Sequence, residues 1–213
     1  MRLNRIIIKG GMGHFKVPMS GKIQQTYTIP PISTVVGILK NIYGDDIKNF
    51  ALGYFIKHKG KHRDLMTIYK EFNIAEKSHT DKDRFMTDTC IVEYLRDVEL
   101  VIYTNINKDI QLNDVLVLGK TNCLATIMDI QEIELEEIEG YGYNQYTHKD
   151  IGEGQIRRIN TITLYNENTD MYDIKSGIVR ENIEFKFNKN YDRDYEQNIF
   201  LWNWDKGVIQ EWN

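Results

Sequence analysis

Apolar residues recur along this chain mostly at the two-residue spacing of strands, and in one place at the spacing of a helix. Runs rich in β-branched and aromatic residues predict strands at Leu3–Lys9, Phe50–Lys57, Leu65–Phe72, Cys90–Leu95, Glu99–Thr104, Leu124–Glu137, Ile159–Tyr165, Ile178–Phe187 and Phe200–Trp204. The aromatic run at the end is expected to close the second part of the sheet.

A single helix is predicted after Pro30 and Pro31, where four apolar residues lie at i, i+3, i+4 and i+7. These residues are Val35, Ile38, Leu39 and Ile42. Ser33 or Thr34 is the expected N-cap, and Gly44 suits the position after the last turn. Gly37 inside the helix indicates close packing against the sheet.

Three segments are interpreted as breaks between these elements. Gly10–Gly13 is expected to turn the chain out of the first strand, and Arg96-Asp97 to form a turn between two strands. The segment Gly140–Gly154, rich in glycine, tyrosine and polar residues, is predicted to be a flexible loop. Strands dominate the order of elements, which favours an α+β fold with a ferredoxin-like unit over a doubly wound fold.

Charge is distributed unevenly along the chain. Residues 1–44 hold six Lys and Arg and no acid, whereas the remaining 21 bases and 31 acids give a net charge of −10. Such a chain suits a protein that touches a polyanion on one side only, although chance clustering is the alternative. The whole chain, at −4, is not basic enough for a typical free-standing nucleic-acid binder.

The loop His14–Ile29 places aromatic residues between lysines and amides. Rings can stack on bases, amines can meet phosphates and amides can reach base edges, so the loop is a candidate site for single-stranded nucleic acid. A solvated loop with its rings in the core is the alternative. The candidate residues are Phe15, Lys16, Lys22, Gln24 and Tyr27.

A second candidate is the basic run from Lys57 to Arg63, which is expected to form a hairpin tip that reaches phosphates. A solvated turn is the alternative. Lys57, Lys59, Lys61, Arg63 and, further along, Lys120 are the predicted phosphate contacts. No metal site is expected, because Gly60 and nearby cations disfavour a ligand pair at His58 and His62.

The sequence resembles the N-terminal signature of the CRISPR-associated Cas-five family, part of the RAMP superfamily of RNA-binding ferredoxin-like (RRM-like) proteins. The resemblance rests on Phe15-Lys16-Val17-Pro18 and on Thr26–Leu39. Weaker matches are Glu93-Tyr94-Leu95 and Leu118-Gly119-Lys120-Thr121. It covers roughly residues 1–130, and the length resembles the type I-B variants.

The resemblance implies a subunit of the Cascade interference complex that holds the 5′ handle of the crRNA, contacts the large and Cas-seven backbone subunits, and meets target DNA only indirectly. It also implies a RAMP domain at residues 1–138 with an extended β-hairpin thumb inserted around 57–89, a second helix before Leu118, and a strand-rich extension of the same domain at 139–213.

Some relatives in type I-C systems cleave precursor crRNA without a metal, which needs a base and an acid or cation. Candidates here are His14, Tyr27, His58, His62 and Lys120, but no spacing marks a site. A non-catalytic RNA-holding subunit is therefore expected, with an endoribonuclease or a protein scaffold as the alternatives. Neither cofactor nor membrane span is expected, and Cys90 and Cys123 are interpreted as structural thiols in a reducing cytoplasm.

Overall fold

The computed structural model describes residues 2–18, 20–72, 85–112, 114–166 and 169–212. In this part of the chain one helix, α1 (Ile32–Tyr43), stands among thirteen strands. The first six strands are β1 (Arg2–Gly13), β2 (Ile23–Gln24), β3 (Phe50–Lys57), β4 (Lys61–Phe72), β5 (Phe85–Thr104) and β6 (Ala125–Glu134). The others are β7 (Gly140–Thr147), β8 (Gln155–Asn166), β9 (Met171–Phe187), β10 (Tyr191–Asp192), β11 (Gln197–Asn198), β12 (Trp202–Asp205) and β13 (Val208–Glu211).

Strand β5 is the spine of the main sheet, whose order is β13-β12-β3-β5-β1-β6. Along one edge of β5 run β1 and then the short parallel β2. Along the other edge β3 and β4 follow one another, both antiparallel to β5. Residues 50–72 and 85–104 therefore form one long two-stranded ribbon.

The ribbon corrects two predictions. The expected turn at Arg96-Asp97 is wrong, because β5 runs through it as one strand with a positive φ of 48° at Asp97. The basic run is not a hairpin tip either: residues 58–60 join β3 to β4 in line, with the Lys59 N–H bonded to the Arg96 carbonyl at 2.8 Å. The predicted arm at Asn73–Thr89 lies outside the described residues from 73 to 84, and its remaining part belongs to β5.

The predicted turn at Gly10–Gly13 is also wrong, since β1 continues to Gly13. Glycine is required at position 10 by close packing and not by the backbone conformation. A Cβ at Gly10 would approach Leu118 Cδ1 and the Leu124 carbonyl oxygen to 2.9 Å each. The missing side chain lets the loop after Leu116 cross close over the strand.

Helix α1 forms where the apolar spacing predicts it, and Val35, Ile38, Leu39 and Ile42 are buried. Its N-cap is Pro31, which makes no side-chain cap bond, so the predicted cap at Ser33 or Thr34 is wrong. A proline fits because its fixed φ suits a helix start. Gly37 does not pack closely, because a Cβ there would meet nothing within 4 Å.

A second, three-stranded sheet has the order β7-β9-β8. The predicted flexible loop at Gly140–Gly154 is wrong in its first half, which is β7. Glycines occur there because space is lacking: a Cβ at Gly142 would come within 2.5 Å of the Phe185 ring, and one at Gly140 within 2.6 Å of Asn198 Oδ1. The glycine-rich composition predicts a loop at Gly140 and Gly142, but these two glycines are required by close packing within a strand.

The main sheet is buried on both faces. One face packs on α1 and on the second sheet: Ile6, Ile8 and Tyr54 of this face belong to one core cluster with Tyr146 of β7. The other is covered by the segment near the C-terminus, through Ile199 and Leu201. Strand β12 pairs with β3, so the aromatic run closes the main sheet and not the second part as predicted.

The strand-rich α+β class with antiparallel sheets is therefore confirmed. The finer ferredoxin-like assignment stays a prediction, as does the domain division at residue 138, although α1 has no helical counterpart in the described residues 105–112 and 114–124. Cys90 and Cys123 are free and buried, as expected for structural thiols. Within the described residues no helix is long and apolar enough to cross a membrane.

Candidate nucleic-acid interface

A cleft of about 690 Å³ opens at the N-terminal end of α1. Five parts of the fold surround it: the loop after β1 with β2, the start of α1, the middle of β4, the loop before β6, and β8. Its lining residues are His14, Phe15, Lys16, Gln24, Pro31, Ser33, Thr34, Met66, Thr67, Gly119, Lys120 and Asn160. Two lysines and no acid occur among them, so the cleft is electropositive.

The loop after β1 reaches the cleft because its backbone is held at both ends. The Phe15 N–H donates to Thr26 Oγ1 at 2.8 Å, and the Tyr27 N–H donates to the Phe15 carbonyl at 2.8 Å. The Val17 N–H bonds to the Gln25 carbonyl at 2.9 Å. These bonds fold residues 15–27 back on themselves, which brings Lys16 and Gln24 into the lining of one cleft.

The opposite wall is the loop Leu118–Lys120, fastened by the His14 N–H, which donates to the Leu118 carbonyl at 3.0 Å. Gly119 has a φ of +91°, and a Cβ there would collide with the carbonyl oxygen of His14. Only glycine combines that backbone conformation with that approach. The turn places Lys120 over the cleft, where its amine lies 3.5 Å from the sulfur of Met66.

The start of α1 contributes a second source of positive potential. The first backbone N–H groups of a helix have no partner within it, and the helix dipole is positive at this end. In α1 no side chain caps this end and no acid occurs in the first turn. An anion in the cleft would meet amide dipoles from the helix as well as the two lysine amines.

Three of the residues predicted from the sequence thus meet in the cleft: Lys16, Gln24 and Lys120. Lys16 is exposed, and Gln24 and Lys120 are half-buried. Phe15 lies beside them, but its ring is buried in the core, so we assign it to packing instead of base stacking. Lys22 is exposed and Tyr27 half-buried, and neither lines the cleft.

The four cations of the basic run lie outside this cleft, and each has a contact within the chain. The Lys57 amine lies 4.6 Å from the centre of the Tyr195 ring, and Lys59 pairs with Asp97 at 3.5 Å. Lys61 donates to the Thr26 carbonyl at 2.9 Å. Arg63 pairs with Glu93 at 3.0 Å. Lys61 therefore holds the end of the cleft loop against the ribbon.

The three candidate histidines, His14, His58 and His62, divide into two settings. His14 and His62 lie near the same aromatic ring, with centroids 5.6 and 5.4 Å from that of Tyr94. His58 Nδ1 accepts the Gly60 N–H at 3.0 Å. Burial lowers the pKa of both His14 and His58, which favours their neutral forms. Among the described residues, no three His, Cys, Asp or Glu side chains are grouped to hold a metal ion.

The sequence did not reveal the start of α1, Met66, Thr67 or Asn160 as parts of the site. A signal existed for the helix start: no acid precedes Asp45, so the first turn of α1 could not be neutralised locally. The contribution of β4 and β8 depends on long-range packing. No local pattern could have indicated it.

The family model described as CRISPR-associated protein (Cas_Cas5) matches residues 6–102, a range that includes most of the cleft. A search of curated proteins finds no match.

Two solved structures share the fold at low sequence identity. A chain of the structure titled "CRISPR RNA-guided surveillance complex" aligns with a TM-score of 0.52 and 11% identity, over 85% of this chain and 91% of the other. A chain of "Cryo-EM structure of the Type III-B Cmr-beta bound to cognate target RNA and AMPPnP, state 1" aligns with a TM-score of 0.56 and 12% identity, over 97% and 99%. At these identities the likeness concerns the fold alone.

Proposed function

We propose that this chain, whose residues 6–102 match the family model, is a member of the CRISPR-associated Cas-five family and the crRNA-binding subunit of a type I Cascade interference complex. In this role it holds the 5′ handle of the crRNA and contacts the Cas-seven backbone subunit and the large subunit. Target DNA is met only indirectly. Type I-B is the subtype that we propose from the length.

The observation that carries the proposal is the acid-free cleft at the start of α1. Lys16, Lys120 and the helix amides converge on a space large enough for part of a nucleotide chain. Phosphate contacts of this kind position a nucleic acid, and the amide of Gln24 can reach a base edge. The net charge of −4 is compatible with this role if neighbouring subunits neutralise the rest of the RNA.

Binding of a synthetic repeat-derived handle RNA at several salt concentrations tests this function. We expect Lys16→Ala and Lys120→Ala each to weaken binding and to lower the salt slope by about 0.7, the value for one phosphate contact on a single strand. Lys186→Ala is the matched control, because Lys186 pairs with Glu139 outside the cleft. Salt slopes that stay unchanged in both cleft variants would overturn the assignment.

Metal-independent cleavage of precursor crRNA is the second candidate. One observation favours it: the rings of His14 and His62 both lie within 6 Å of the Tyr94 ring, and Lys120 is close enough to lower the pKa of His14. Histidine, tyrosine and lysine are the groups that could move protons in such a reaction. Against it, His14 Nε2 and His62 Nδ1 are closed to solvent.

Incubation of the purified chain with repeat RNA in EDTA separates the two functions. We expect intact RNA after incubation, since a holding subunit leaves cleavage to another enzyme. Discrete cleavage at the handle boundary, abolished by His14→Phe, would establish the endoribonuclease.

A further inference from the structure

His14 forms part of the cleft wall with one ring nitrogen unsatisfied. The residue is only 2% exposed, and its Nδ1 lies 2.7 Å from the carbonyl oxygen of Glu93. A carbonyl can only accept, so Nδ1 carries the hydrogen. The other nitrogen, Nε2, has no hydrogen-bond partner. A buried polar atom without a partner is rare in folded proteins and calls for an explanation.

The surroundings keep this ring neutral. Burial lowers the pKa of His14, and the nearby charges of Lys120 and Lys16 lower it further. A neutral ring whose hydrogen sits on Nδ1 presents a lone pair at Nε2. The unsatisfied atom is therefore an acceptor that needs a donor from outside the protein.

The chemistry of the ligand limits which donor that is. Phosphate groups held by Lys16 and Lys120 offer only acceptor oxygens. The ribose–phosphate backbone of RNA adds one donor per nucleotide, the 2′-hydroxyl, which DNA lacks. We infer that His14 Nε2 accepts a hydrogen bond from the 2′-hydroxyl of the nucleotide whose phosphate the cleft binds, so that the cleft distinguishes RNA from DNA. This inference rests on the proposed function.

Nε2 is closed to solvent in the free protein, so a side chain of the cleft wall moves when RNA binds. Lys120 is the side chain that we assign to this movement. Its amine contacts the Met66 sulfur at 3.5 Å, and a thioether is a weak acceptor. A phosphate attracts the amine more strongly, because the bond to it is charge-assisted.

The test compares handle RNA with the same RNA carrying one 2′-deoxy nucleotide, moved through each position in turn. With the wild-type protein we expect one position, or two neighbours, at which the deoxy substitution weakens binding about fivefold, the effect of one neutral hydrogen bond. Equal affinity at every position, or the same small loss at all of them, would overturn the inference. This scan needs no variant.

Variants then assign the effect to one nitrogen. In His14→Phe the deoxy-sensitive position should become insensitive, so that the ribo and deoxy RNAs bind with equal affinity. His62→Phe is the matched control, because His62 also flanks Tyr94 and also has an unsatisfied nitrogen but does not line the cleft. If His14→Phe weakens binding equally to the ribo and deoxy RNAs, Nε2 meets a base amino group or is structural, and the inference fails.

The two proposals fail in different ways. Handle binding with a normal salt slope but no deoxy-sensitive position leaves the proposed function intact and removes only the role of His14. If Lys16→Ala and Lys120→Ala both bind the handle as tightly as the wild-type protein does, the proposed function itself is overturned.

Discussion

At the scale of single residues, a buried ion pair joins the first strand to a residue near the other end of the chain. Arg5 Nη1 donates to both carboxylate oxygens of Asp192, at 3.1 and 3.0 Å, and the Tyr103 hydroxyl donates to the same carboxylate at 2.7 Å. Both charged side chains are at most 4% exposed. Burial is costly for each charge, and the pair persists because its hydrogen bonds are nearly complete.

Removal of one partner of the ion pair should therefore lower the free energy of unfolding far more than removal of the neutral Tyr103 hydroxyl. We expect Asp192→Ala to lower the free energy of unfolding by about 3–5 kcal/mol, because Arg5 is left buried with only the exposed Asp194 as a counter-ion. Tyr103→Phe should cost about 1 kcal/mol, since Arg5 still pairs with the carboxylate. Urea unfolding measures both.

Asp194→Ala is the control for this pair. Asp194 also meets Arg5, at 2.7 Å, but its side chain is 69% exposed. An exposed partner should contribute less than about 1 kcal/mol. A loss in Asp194→Ala as large as that in Asp192→Ala would show that burial does not set the strength of the contact.

The sequence alone identified the roles of some residues and not those of others. Lys16, Gln24 and Lys120 were identified by charge and hydrogen-bonding capacity, and the structure brings them to one cleft. Asp192 could not be identified from the sequence, because its partner Arg5 lies 187 positions away. Phe15 was assigned to stacking because nothing local distinguishes a buried aromatic ring from an exposed one.

At the scale of elements, the turn at Gly119 decides where Lys120 stands. We expect Gly119→Ala to cost about 1–3 kcal/mol of stability, since the positive φ and the collision with the His14 carbonyl both oppose a side chain. Handle binding should weaken as well, because the loop must move away from the cleft. Urea unfolding and RNA titration of the same variant test the two effects.

Gly11→Ala is the matched control for the turn. Gly11 lies in β1, and a Cβ there would meet nothing within 4 Å. Its stability should stay within about 1 kcal/mol of wild type, with RNA binding unchanged. Equal losses in the two variants would mean that Gly119 has no special constraint.

Elements were predictable where the local pattern and the packing agree. The spacing of Val35, Ile38, Leu39 and Ile42 found α1 because one face of that helix is buried. Glycine misled the interpretation of β1 and β7, since close packing and turns use the same residue for different reasons. The polar pair Arg96-Asp97 concealed the continuity of β5, which follows from pairing on both of its edges.

At the scale of the whole molecule, two tryptophans connect the sheets. The Trp202 indole N–H donates to the Tyr146 carbonyl of β7 at 3.2 Å, and that of Trp204 donates to the Thr161 carbonyl of β8 at 3.1 Å. Both are 2% exposed, and both lie on β12, which pairs with β3. The second sheet is therefore held by β12, which lies between β13 and β3 in the main sheet.

This arrangement predicts that the two sheets unfold together. Far-UV circular dichroism and tryptophan fluorescence should give coincident urea curves. Trp204→Ala should lower the stability of both by about 3–5 kcal/mol, as expected for the loss of a buried aromatic side chain. Trp204→Phe is the conservative control and should cost less. Curves that separate in the wild type would show two independent units.

The ribbon formed by residues 50–72 and 85–104 has a mechanical consequence. At about 3.3 Å per residue, the twenty residues of β5 extend roughly 65 Å. Only its C-terminal half is clamped between β1 and β3, whereas the half paired with β4 has no other partner in the described residues except the two-residue β2. Within that half, Cys90, Val92, Tyr94 and Leu95 are buried in the core. The part of the ribbon that lacks support therefore begins beyond Cys90 and its partner Met66, and a sideways load on that part bends the ribbon there.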